Sequence, residues 1–174
     1  MTVTGAIGMF MVGEKVVYKC SGVYEIEAIE TPSFAEDTKK TYFRLYNFFS
    51  NMNEKVYVPC DNDGALRTLS TEEEYVKCIE SIKNKEIIPF VARQPQLLAE
   101  HFKKVLSENT FTSLLCVFKE LVMRERECEK TGKKLRQAEV HYLTLTEKAI
   151  CEELSVSLGI DQEQAREKVR AGIF

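Results

Sequence analysis

The chain has 174 residues, 44% of them apolar and 29% charged, with a net charge of −3. That leaves room for one domain or two small ones with real cores, and the lack of any run of about 18 apolar residues excludes a membrane-spanning helix. The charge is unevenly spread: residues 1–90 carry 10 Lys/Arg against 14 Asp/Glu, and residues 91–174 carry 14 against 13. Neither half is the clearly basic domain that avid DNA binding calls for.

Residues 1–8 lack a basic stretch followed by a long apolar one, so they do not read as a secretory signal. They are expected to be a disordered leader, with Met9 and Met11 as alternative starts. From there the chain reads as strands. Two short apolar runs, Val16-Val17-Tyr18 and Val23 to Ile29, are punctuated by Gly13 and Gly22, where a chain turns at no steric cost. Thr41 to Phe49 is dense in aromatics, and Lys55 to Pro59 alternates, with Val56 and Val58 on one face and Tyr57 on the other. The Asn- and Ser-rich stretch between them predicts a hairpin. Pro59 cannot donate to a ladder and belongs at a strand end or edge. Asp61-Asn62-Asp63-Gly64 is a turn signal. This spacing of short strands predicts a small Tudor- or SH3-like β-barrel.

Helices follow. Thr71 with Glu74 makes a capping box, and Tyr75, Ile79 and Ile82 recur at helical spacing. Pro89 and Pro95 then mark an extended connector, taken as the domain boundary. From Gln96 onward the pattern is helical: Leu98, Phe102, Val105 and Leu106 form one stripe. Phe111, Leu114, Leu115, Phe118, Leu121 and Val122 form a second. Leu143, Ile150, Leu154 and Leu158 mark a third helix that Gly159 should cap, and Asp161 with Gln164 opens a last, short one. The expected fold class is therefore α+β, a small barrel followed by an all-α bundle. Its parts are a leader (1–8), a barrel (9–68), a helix and connector (69–95) and a helical domain (96–174).

Chemistry-bearing motifs are sparse. None of the six cysteines (Cys20, Cys60, Cys78, Cys116, Cys128, Cys151) sits in a Cys-x-x-Cys pair, and His101 and His141 are the only histidines. Reduced thiols in a cytoplasmic protein are the expected state, with no metal and no cofactor. Gly5 and Gly8 have no Lys-Ser/Thr behind them, so no phosphate loop is present. Neither histidine has a local nucleophile or carboxylate motif. The chain reads as a non-enzyme. A zinc- or thiol-dependent enzyme, the other class, would show bound metal or a cysteine with a depressed pKa.

The stretch Val12-Gly13-Glu14-Lys15-Val16-Val17-Tyr18 through Glu27-Ala28-Ile29-Glu30-Thr31 resembles the opening of the CarD family of bacterial transcription regulators. That family shares its module with the polymerase-interacting domain of the transcription-repair coupling factor. Val56-Tyr57-Val58-Pro59, Asp61-Asn62 and Leu66-Arg67 continue the likeness. Leu121 to Glu127, Glu147-Lys148-Ala149 and Glu153-Leu154 extend it to about Leu158. The resemblance implies a barrel that binds the β subunit of RNA polymerase through an exposed strand surface. It also implies a helical domain lying on promoter DNA, where relatives insert a tryptophan wedge beside basic residues.

The outward barrel residues Glu30, Thr31, Tyr42, Arg44 and Tyr57 are the polymerase-binding candidates. The DNA-binding candidates are Leu97, as a smaller wedge, and the basic run Arg124, Arg126, Lys130, Lys133, Lys134 and Arg136. That run stands against Glu125, Glu127 and Glu129 only. Two alternatives remain open: Leu97 packs into the bundle, and the basic run is a solvated helix end. The chain departs from its relatives in having no tryptophan, in a neutral-to-acidic Gln94–His101 segment, and in Pro32 and Tyr57 where basic residues are common. A protein-interaction adaptor that has lost DNA contact is accordingly the second functional reading.

Overall fold

The computed structural model describes residues 10–35, 39–50 and 54–174. The expected leader, and the middle of the predicted hairpin loop at 51–53, lie outside the described residues. The chain divides into two units, residues 1–69 and 70–174.

The first unit is built from β1 (Lys15–Tyr18), β2 (Val23–Glu30), β3 (Tyr42–Asn47), β4 (Lys55–Pro59) and β5 (Leu66–Thr68), with a 3-10 turn at Asp63–Ala65. Gly22, at a φ of 107°, makes the reversal between β1 and β2 that a Cβ would strain. The strands pair antiparallel in the order β4-β3-β2-β1-β5. The predicted hairpin is present as the β3–β4 ladder, and Pro59 ends the edge strand β4. The predicted barrel is not. The sheet is open, because closure needs its two edges to meet and β5, three residues long, pairs only with β1.

The strand period alone does not account for this core. Ile26 and Ile29, three apart, would face opposite sides of a regular strand, yet both lie in one apolar cluster with Val16, Tyr24, Phe43, Leu45 and Val58. A register shift between Ile26 and Ala28 resolves this. Ile26 pairs with Leu45, Ala28 with Arg44, and Glu27 is the extra residue of a β-bulge. The bulge resets the alternation of β2, so that Glu30 as well as Glu27 lies on the outer face that Tyr42, Arg44 and Tyr57 share.

The second unit holds α1 (Glu72–Asn84), α2 (Pro95–Leu106), α3 (Phe111–Thr131), α4 (Gln137–Leu158) and α5 (Gln162–Gly172). Both expected capping boxes form, Thr71 with Glu74 and Asp161 with Gln164, and Gly132 and Gly159 cap α3 and α4 in the left-handed conformation. Every residue of the predicted α3 stripe is buried. The boundary differs from the proline connector: α1 packs on α3, α4 and α5 and belongs to the helical unit. Two features hold it there. The Lys119 ammonium, buried in α3, donates to the carbonyls of Ile82 (2.8 Å), Lys83 (3.0 Å) and Lys85 (3.0 Å), closing the C-terminal end of α1. Gly172 of α5 lies so close that a Cβ there would sit 2.7 Å from Ile79 Cγ2 of α1.

Candidate binding surfaces

On the outer face of the sheet, strand pairing sets Arg44 beside Tyr57 of β4 and Tyr42 opposite Glu30 of β2. Arg44 Nε donates to Glu27 Oε2 at 2.8 Å and its Nη1 to Glu30 Oε1 at 2.7 Å. The Tyr57 hydroxyl also reaches Glu30 Oε1, at 3.4 Å, and Lys55 Nζ lies 3.6 Å from Glu27. A hydrogen bond to Glu25 raises the Tyr46 hydroxyl above its ordinary pKa. Three of the five residues read from the sequence, Glu30, Arg44 and Tyr57, thus form one hydrogen-bonded group with Glu27, and Tyr42 lies beside it opposite Glu30. Thr31 follows the end of β2 and is exposed.

Sequence reasoning missed Phe34, which packs edge-on against both Tyr57 and Tyr42 from the loop after β2. No periodicity marks a single aromatic in a loop. It also missed Glu27, although alternation from Ile26 sets it on the outer face; what depends on the bulge is the outward aim of Glu30.

The second surface lies where α3 ends and α4 begins. Here the structure separates the basic run into two kinds of residue. Arg124 is only 17% exposed and is held between two carboxylates that are 7% exposed. Its Nη2 lies 2.7 Å from Glu120 Oε1 and its Nη1 3.1 Å from Glu139 Oε1, and it also donates to the Phe90 carbonyl. Glu120 accepts the Phe90 N–H at 2.9 Å, and His101 stacks on the Phe90 ring with centroids 4.2 Å apart. Arg136 donates to the Ala92 carbonyl at 2.9 Å. Arg124 and Arg136 therefore fasten the connector to the helices, and Arg124 is not free to grip a phosphate. The sequence signal for this was the spacing Glu120, Arg124, one helical turn apart.

The other cations are exposed. Arg126 covers the Phe174 ring, its guanidinium 3.5 Å from the centroid. Lys130, Lys133 and Lys134 are exposed around the Gly132 turn, and the two latter border a pocket of about 510 Å³ floored by Pro89, Met123 and Cys128. Leu97, in the first turn of α2, is 47% exposed while Leu98 beside it is fully buried. Leu97 does not fill the bundle core. Cys151 is buried and the other five cysteines are half-buried, all as free thiols. Among the described residues no cluster of three or more His, Cys, Asp or Glu could hold a metal ion, and no helix is long and apolar enough to cross a membrane.

Residues 10–70 match the family model described as CarD-like/TRCF RID domain. The first unit is a CarD-like domain. The match ends where the sheet unit ends, so the domain is the open five-stranded sheet and its loops. That family is one of RNA-polymerase-interacting domains, which suggests RNA polymerase as the class of partner. The resemblance read from Leu121 onward falls outside the matched residues. No curated protein matches the chain.

Proposed function

We propose that this chain is a non-catalytic, cytoplasmic transcription regulator of CarD type, which docks on the β subunit of RNA polymerase through the outer face of β2, β3 and β4. The single observation that carries this reading is the hydrogen-bonded group of Glu27, Glu30, Arg44 and Tyr57, with Tyr42 opposite Glu30, on a CarD-like domain. A rigid surface with tyrosines at its centre is what a protein interface needs. In this reading the helical unit touches promoter DNA at phosphates through the exposed Lys130, Lys133 and Lys134, with exposed Arg126 and Leu97 as further contacts.

Binding of the full chain to the isolated β-subunit lobe tests the first part, and the absence of binding at micromolar concentrations would end it. A duplex-DNA titration tests the second. Three phosphate contacts predict an affinity that falls roughly 40-fold between about 50 and about 200 mM salt. One observation favours the adaptor reading instead: Arg124 is spent inside the fold, and exposed Glu127 and Glu129 intersperse the remaining lysines. An adaptor would bind the lobe and leave duplex DNA untouched at both salt concentrations.

A further inference from the structure

Around Tyr57 the charges of the sheet's outer face are already matched among themselves. Arg44 lies between Glu27 and Glu30, Lys55 faces Glu27, and the Tyr57 hydroxyl is turned to Glu30. A partner that recognised this face by charge would first have to break those pairs. What the face leaves unsatisfied is apolar. Phe34 is 61% exposed, although its ring meets Tyr57 at 5.1 Å and 85° and Tyr42 at 6.0 Å and 69°. Both contacts are edge-to-face, the favoured geometry for aromatic pairs. The two tyrosines thus hold the ring in place without covering it. A large side chain fixed before binding loses little rotamer freedom when it is buried.

We propose that Phe34 is the principal anchor of the docking surface, and that its occupant is an uncharged, apolar concavity on the polymerase β subunit. This rests on the polymerase reading above and specifies its chemistry. A neutral face complements a neutral partner, and apolar burial has no dependence on counterions. Docking is therefore driven by burial of one ring and is nearly insensitive to salt.

The experiment measures binding of the full-length chain to the isolated β-subunit lobe at about 50 and about 300 mM salt. Beside the wild type it uses Phe34→Ala and, as a control, Met11→Ala, a side chain 59% exposed in the same unit. The expected result is a wild-type affinity that changes less than about threefold with salt, at least a 10-fold loss for Phe34→Ala, and less than about a twofold change for Met11→Ala. The salt comparison needs no variant, so it stands even if Phe34→Ala folds poorly. Wild-type binding that survives Phe34→Ala, or that weakens more than about 10-fold with salt, overturns the anchor and keeps the polymerase reading. No wild-type binding overturns both.

Discussion

Replacing Lys119 by Met keeps the apolar stem and removes the ammonium that closes α1. Three carbonyls lose their donor: those of Ile82, Lys83 and Lys85. The Ile82 bond is buried, and leaving that carbonyl unpaired costs about 1–3 kcal/mol. The other two are partly exposed, so water replaces the amine at about 0.5 kcal/mol each. Loss of a cation at a helix C-terminus adds about 0.3–1 kcal/mol. Relief from burying an ammonium offsets part of this, for a net loss of about 2–4 kcal/mol. In a unit of this size each kcal/mol moves the melting midpoint by about 4 °C. Thermal unfolding followed by far-ultraviolet circular dichroism should then show a midpoint lower by roughly 8–15 °C. Amide exchange should open first at the C-terminal turn of α1. A midpoint within about 3 °C of the wild type, with α1 still protected, would refute the reasoning.

Two further outcomes follow from buried groups. Arg124→Ala strands the Glu120 and Glu139 carboxylates, each 7% exposed, and should cost about 3–5 kcal/mol in urea unfolding. The salt slope of any DNA binding measured on the folded fraction should stay as it was. Burial first, and then Glu147, push the Cys151 thiol from 9.0 up to about 11. The unfolded chain therefore loses this proton at a lower pH than the folded one, and stability falls as pH rises from about 9 to about 11. Urea midpoints across that window should decline less steeply in Cys151→Ala than in the wild type.

Much of the helical unit was legible because its signals are local. A capping box needs two residues three apart, and the α3 stripe shows its period within four turns. Thr71 with Glu74, Asp161 with Gln164, the α3 stripe and the Gly159 cap all stand where the spacing puts them. The strands were legible for the same reason, down to Tyr57 opposing Val56 and Val58. Barrel closure was not, because it depends on whether two strands far apart in the chain meet, and β5 is too short for that. The domain boundary misled because prolines mark where regular structure stops. They do not mark where packing stops, and α1 lies before them yet packs with the helices after them.

The candidate surfaces divide in the same way. Sequence by itself determined the element types, the CarD-like character of the first unit and which outward residues of β3 and β4 share a face. Each of those follows from short-range spacing or a local pattern. Only the tertiary structure decided that a bulge at Glu27 gives Arg44 its two carboxylates, that Phe34 lies against Tyr42 and Tyr57, and that Arg124 is enclosed between Glu120 and Glu139. The physical reason is that a charge or a ring acquires its role from its neighbours in space. Glu139 stands fifteen residues from Arg124 along the chain, and residue type at one position carries no record of that distance.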